Sequence, residues 1–279
     1  MTRLSRSFTK PLRQPPKDAD SANARYLIQG GYIDQLAAGI YNLLPFGWRV
    51  YRKVEQIIRE EMDALGGQEL NLAALHPTGP WKASGRWDDP AVKEVMYQFK
   101  DQSGKQYGLG FTHEEIIAQV AKSHIQSYKD LPLAAYQIQV KFRNEPRAKS
   151  GLLRGREFIM KDLYSFSRSQ EELDAFYEQA KAAYLKVYER LGLDAWVVEA
   201  SGGVFSKYSH EFQVFAEAGR TRVPIVDLAG QARADLALDH RPVDHVPLLL
   251  RLHLQKVHDA GHRVRDPVGV EEDHARGHV

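Results

Sequence analysis

Ala135-Tyr-Gln-Ile-Gln-Val-Lys-Phe-Arg-Asn-Glu145 and the return stretch Arg154-Gly-Arg-Glu-Phe-Ile-Met-Lys-Asp162 carry the clearest structural signal in this chain. In the first, Tyr136, Ile138, Val140 and Phe142 alternate with Gln137, Gln139, Lys141, Arg143 and Glu145, the two-residue period of a strand. A loop with Pro146, Lys149, Ser150 and Gly151 follows, then a second strand around Glu157 to Phe166. Two strands so close together predict an antiparallel hairpin. On the return strand Arg154, Arg156, Phe158, Met160 and Asp162 fall in matching alternation, so one shared face bears cations, carboxylates and a lone aromatic. Such a polar face ordinarily meets water. The alternative is a nucleotide platform without a glycine loop, because a guanidinium grips phosphate through two hydrogen bonds and a phenyl ring stacks on a purine.

Outward from the hairpin, helical spacing predicts a helix from about Gly47 to Leu65, stopped by Gly66-Gly67, and a short strand over Glu69 to Leu75. A helix is expected from Thr112 to Tyr128, opened by a Thr112/Glu115 capping box, and another after the Ser169/Glu172 box, closed by Gly192. Ala195 to Glu199 reads as a strand, and Arg3 to Pro45 as an irregular arm leading into a short helix. Helices mixed with hairpins favour an α+β fold over a doubly wound sheet.

Composition excludes several classes. The 279 residues allow one large domain or two ordinary ones, with 43% hydrophobic and 27% charged residues. No apolar run approaches the roughly 20 residues of a membrane-spanning helix, and the start lacks the apolar core of a secretory signal. The absence of cysteine excludes disulfides, a thiol nucleophile and cysteine zinc sites, so a cytoplasmic location is expected. A net charge of +2 means that any nucleic-acid contact must be a local patch. No phosphate-binding Gly-x4-Gly-Lys-Ser/Thr occurs; Gly108-Leu-Gly110 lacks a third glycine, and Ile117 replaces the second histidine a zincin would need after His113-Glu114. No metal site is expected.

Phe142-Arg-Asn-Glu145, a loop, and Arg154-Gly-Arg-Glu-Phe158 through Asp162 resemble motif 2 of class II aminoacyl-tRNA synthetases. Gly151-Leu-Leu-Arg-Gly-Arg-Glu-Phe-Ile-Met-Lys-Asp162 with Tyr164-Ser-Phe166 resembles the bacterial prolyl-tRNA synthetases, as do Gly31 to Tyr41, Leu44-Pro45, Thr112-His-Glu-Glu115, Tyr136-Gln-Ile-Gln139 and Ser209-His-Glu-Phe212. The likeness covers about Leu4 to Gly219. It implies a class II antiparallel sheet flanked by helices, ATP with Mg²⁺, activation of proline to prolyl-adenylate, transfer to tRNA(Pro), and a homodimer. Arg143 would be the catalytic clamp on the α-phosphate and the proline carboxylate; Glu145 would accept from the adenine amino group, Phe158 would stack on adenine, and Arg154 would reach the phosphates. Thr112 and Glu114 would receive the proline amine, with Glu115 left to the helix cap. His210 resembles a pocket-lining residue, although a lone histidine is as often a structural one. A non-catalytic nucleotide- or RNA-binding module is the alternative function, and a threonine-type class II enzyme a more distant one.

The sequence departs from the resemblance in places. Ala73 stands where motif 1 would place proline, and Gly110-Phe111 where glycine-proline is expected before Thr112. Motif 3, the editing insertion and the anticodon-binding domain have no counterpart, so the expected fold is an incomplete core over residues 1–219. All 28 aromatics (4 Trp, 13 Tyr, 11 Phe) precede Arg220, where roughly eight would be expected in the last 60 residues. Those residues, 220–279, hold seven of eleven histidines and have the mixture that a GC-rich gene yields out of frame; disorder is the second reading. Metal binding through His258-x3-His262 is the weakest, without a cysteine or a second ordered pair.

Overall fold

The computed structural model describes residues 3–17, 19, 21–148, 151–202, 206–214 and 253–255. Helix α1 (Ala22–Gln29) is capped by Ser21, whose hydroxyl accepts from the Ala24 amide at 3.2 Å. The chain then doubles back through β1 (Ile33–Ala37) and β2 (Ile40–Leu43), turning at Gly39 with φ 75°. The arm expected over Arg3 to Pro45 therefore holds a hairpin as well as its short helix. Helix α2 (Pro45–Ala64) starts on proline, whose missing N–H costs nothing in the first turn. A Cβ at Gly47 would fall 2.1 Å from the Tyr32 carbonyl oxygen, so only glycine lets this helix start against the preceding chain.

The strand expected over Glu69 to Leu75 is broken into β3 (Gln68–Glu69) and β4 (Leu75–Pro77). The reason lies in Leu72 between them. Its amide donates to Gln137 Oε1 at 3.0 Å and its carbonyl accepts from Gln139 Nε2, so strand side chains satisfy this backbone in place of a ladder. Helices α3 (Thr78–Ala83) and α4 (Pro90–Val95) lead to β5 (Gln98–Lys100) and β6 (Gln106–Leu109), which complete an antiparallel sheet ordered β4-β6-β5. Trp81, Trp87, Val92, Met96 and Phe111 form its core. Helix α5 (Glu114–His124) stops before the expected Tyr128, because Ser127 and Asp130 cap a separate 3-10 turn over Tyr128–Asp130.

Strands β7 (Leu133–Phe142) and β8 (Glu157–Phe166) form the expected hairpin, antiparallel over ten pairs, with β3 joined to β7 in parallel. Helix α6 (Gln170–Arg190) begins at Ser169, whose hydroxyl accepts from the Glu172 amide at 3.3 Å. Only half of the expected box forms; the Glu172 carboxylate accepts from the Arg168 amide instead, at 2.9 Å. Strands β9 (Ala195–Gly202), β10 (Ser206–Val214) and β11 (His253–Gln255) make a third three-stranded sheet, ordered β11-β10-β9. The fold is α+β, as expected.

Helices α2 and α6 cover the apolar face of the hairpin. Ile58, Met62, Tyr136, Tyr184, Val187, Tyr188 and Phe212 are buried together, each fully buried chain contributing about 1.5–3 kcal/mol. The opposite face corrects the ordinary expectation for an alternating strand. Gln137 and Lys141 are 0% exposed, because residues 70–76 and 110–113 cross over them. The compositional break after Gly219 and the tail histidines lie outside the described residues, apart from the backbone of β11. Among the described residues no helix is long and apolar enough to cross a membrane.

Candidate active site

Register sets the site. Lys141 pairs with Phe158, Gln139 with Met160 and Gln137 with Asp162, so the expected polar alternation of the two strands falls on one face. Just beyond the ladder the Arg143 amide donates to the Arg156 carbonyl at 2.8 Å. The Arg143 guanidinium carbon sits 5.4 Å from the centre of the Phe158 ring. Arg154 Nε lies 2.9 Å from Glu145 Oε2. Burial works to raise the Glu145 carboxyl, but the Arg147 amide and the Arg154 guanidinium outweigh it and hold the group below its ordinary range. Arg143, Glu145, Arg154 and Phe158 are thus gathered at one end of the hairpin. Arg156 donates to the carbonyls of Glu145 (3.1 Å) and Ala38 (3.3 Å), and its amide meets the Gly39 carbonyl at 2.7 Å.

The loop before α5 is stitched to the same end. The Phe142 amide donates to the Gly110 carbonyl at 3.0 Å, and Arg143 Nε and Nη2 both reach the Phe111 carbonyl at 3.4 Å. The backbone just before Thr112 is therefore held at the Arg143 guanidinium, and the Thr112 hydroxyl donates to the Glu114 carboxylate. Burial raises the Glu114 carboxyl above its ordinary range, with the Thr112 hydroxyl opposing. The expected capping box does not form. His113 is the N-cap residue, without a side-chain cap, and Glu115 is drawn away by Arg86 Nη1 at 2.6 Å and the Ser84 hydroxyl at 3.2 Å. A charge-assisted pair outbids a neutral amide for that carboxylate.

Beneath these groups lies a polar layer that sequence reading put on the face without assigning it a task. Asp162 accepts from Gln137 Nε2 at 2.8 Å and from the Tyr164 hydroxyl, while its Oδ1 lies 2.9 Å from Lys141 Nζ. Alternation placed Lys141 and Asp162 on this face; it carried no sign that both would be covered.

Two buried histidines complete the layer. His76 Nε2 and His113 Nε2 meet the Ala73 carbonyl at 2.9 and 3.1 Å, with their rings edge-on at 4.6 Å. Trp81 Nε1 donates to His76 Nδ1 at 3.2 Å, which makes His76 the neutral Nε2–H tautomer. Gly110 is needed here, since a Cβ would lie 2.8 Å from both rings. Burial lowers His76 from 6.5 to about 4, and burial with the Lys141 charge lowers His113 to about 3. Both rings stay neutral in the fold, whereas the unfolded chain protonates them from about pH 6.5 downward, so their contribution is intact above that pH and is lost as pH falls toward 4. At pH 5 the expected loss is about 2 kcal/mol per ring. Urea unfolding at pH 7 and pH 5 checks this: His113→Gln should flatten the pH dependence, and an unchanged slope would refute it.

His210, on β10, lies in a different sheet from the hairpin. Its Nδ1 and the Tyr177 hydroxyl of α6 are 2.7 Å apart.

The family model described as tRNA synthetase class II core domain (G, H, P, S and T) matches residues 97–246. The chain belongs to that family. Among curated relatives of this class II core, a proline--tRNA ligase of Anaeromyxobacter sp. (strain K) is 50% identical over 222 residues, covering 79% of this chain and 38% of that protein. A proline--tRNA ligase of Thermotoga maritima is 44% identical over 240 residues, covering 86% and 41%. In fold, the core resembles the prolyl-tRNA synthetase of Cryptosporidium parvum complexed with halofuginone and AMPPNP, with TM-score 0.63 and 14% identity over 72% of this chain and 42% of that one. The chain thus spans about two fifths of the length of the curated relatives it matches.

Proposed function

We propose that this chain is the N-terminal catalytic portion of a proline–tRNA ligase, which activates proline with ATP and transfers it to tRNA(Pro). The observation that carries the reading is the contact of the Arg143 guanidinium with the carbonyl that precedes Thr112, whose hydroxyl meets Glu114, at the loop end of the hairpin, in a chain 50% identical to a proline--tRNA ligase over 222 residues. The proline carboxylate would attack the α-phosphorus of ATP in line, forming the acyl-phosphate bond as pyrophosphate leaves. A ribose hydroxyl of the tRNA 3′ end would then attack the acyl carbon and release AMP. Magnesium would enter on the nucleotide phosphates, neutralising charge that the protein does not.

The residues divide the work by chemistry. Arg143 would face the α-phosphate and the carboxylate together, meeting charge that builds in the transition state. Glu114, as the carboxylate, would hold the secondary ammonium with the Thr112 hydroxyl. Phe158 offers a ring face for adenine. Glu145 and Arg154 pair with each other in the free protein, with the Arg154 side chain 47% exposed. Such a pair contributes about 0.2–1 kcal/mol, so a nucleotide can part it at small cost, turning Glu145 to the adenine amine and Arg154 to the phosphates. His210 would line the proline pocket, and homodimerisation and tRNA(Pro) binding belong to the same proposal. We place the core within residues 1–219.

Exchange of labelled pyrophosphate into ATP by the purified chain tests the reading. Exchange is expected with proline and not with threonine. A folded chain without proline-dependent exchange would replace the enzyme with a non-catalytic synthetase-like binding module.

A further inference from the structure

Phe111 stands where the resemblance leads one to expect proline, and its surroundings give it a task. The residue is 6% exposed. Its ring centre lies 5.3 Å from that of Trp81, and the Arg86 guanidinium lies 5.8 Å from the Phe111 ring and 5.2 Å from Trp81. Arg86 in turn holds Glu115 at 2.6 Å, so the loop is pinned on both sides of Thr112 and Glu114. The carbonyl of the same Phe111 accepts from Arg143 Nε and Nη2, each at 3.4 Å. A buried ring fixes its own backbone, and this backbone meets two nitrogens of the guanidinium fork.

We infer that Phe111 is a positioning residue: its ring, seated on Trp81 and Arg86, sets the carbonyl that orients Arg143 before ligand arrives. Proline at this position would stiffen the loop by fixing φ; phenylalanine reaches a similar end by burial. Both Arg143 contacts are long, so the guanidinium is aimed without being held back from an anion. The catalytic side of this inference rests on the proposed role of Arg143; the geometric side does not.

The test uses the full chain. Phe111→Ala is expected to lower kcat/KM for proline-dependent exchange about tenfold, while Phe111→Leu and Phe111→Pro stay within about threefold of wild type, one keeping the buried anchor and the other the stiff backbone. In an Arg143→Lys background Phe111→Ala should add less than twofold, because the group it orients is gone. Multiplying losses in the double variant, or a Phe111→Pro chain as impaired as Phe111→Ala, would overturn the inference. An independent readout is the Arg143 side-chain Nε–H signal in ¹⁵N NMR relaxation. Its order parameter should fall in Phe111→Ala and stay high in Phe111→Leu; no difference between them would also overturn it. That measurement works whether or not the chain is an active ligase, so failure of the functional reading shows separately, as wild-type protein without exchange.

Discussion

Arg143→Ala is expected to remove proline-dependent ATP–pyrophosphate exchange to background, and Arg143→Lys to lower it by about 10²–10³-fold. The argument rests on geometry before charge. Arg143 leaves the end of β7 with its guanidinium over Phe158 and two of its nitrogens on the Phe111 carbonyl, one peptide before Thr112, whose hydroxyl meets Glu114. A fork in that position can meet a phosphate oxygen and a carboxylate oxygen in one plane. Lysine offers a compact point charge on a flexible stem, so it keeps the cation and loses the shape. Losing one preorganised donor to a developing anion costs about 2.7–4 kcal/mol in similar chemistry, which sets the size of the lysine effect. Exchange measured at saturating ATP across a proline titration, on variants whose thermal unfolding matches wild type, is the check. A lysine variant within threefold of wild type would mean that Arg143 does not clamp the reacting groups.

The second large effect concerns stability. Asp162→Ala should destabilise the fold by about 3–5 kcal/mol, because it strands a charge in a covered place. Lys141 is 0% exposed, and its ammonium faces the Asp162 carboxylate at 2.9 Å. Burial already lowers the Lys141 pKa, with Asp162 opposing. Removing the carboxylate also leaves Gln137 Nε2 and the Tyr164 hydroxyl without their acceptor. For a domain of this size the loss amounts to roughly 6–20 °C in Tm. Asp162→Asn, which keeps an acceptor, should lose less, and Lys141→Met added to Asp162→Asn should recover part of the loss, since two neutral groups replace a stranded ion. Thermal unfolding of the three variants decides the matter. A drop under 1 kcal/mol for Asp162→Ala would show that water or a local shift reaches Lys141.

Much of the site was legible because strand geometry is local. Period-2 alternation placed Arg143, Phe158, Lys141 and Asp162 on one face, and the register confirms the phase on both strands. Helix signals did as well where caps are local: Ser169 caps α6 as read, and Val54, Ile57, Ile58 and Met62 of α2 face the core. Readings failed where a distant partner competed for a local group. Glu115 suits a capping box with Thr112 until Arg86, remote in sequence, takes its carboxylate. Leu72 suits a strand until Gln137 and Gln139 take its amide and carbonyl. Phe111 was visible only as a departure from the expected proline; its ring reads as ordinary core until the Arg143 contact is seen.

The order of residues by itself determined the hairpin, its polar face, the α+β mixture of elements and the strings that mark a class II synthetase. Each of these depends on neighbours a few residues apart, through peptide geometry and side-chain alternation. Only the tertiary structure decided that the polar face is covered, that Lys141 needs Asp162, that two histidines share the Ala73 carbonyl, and that the carbonyl before Thr112 meets Arg143. Those facts follow from residues 70–76 and 110–113 crossing one end of the hairpin. Alternation says which side chains share a face, and it is silent on what segment elsewhere in the chain will exclude water from it.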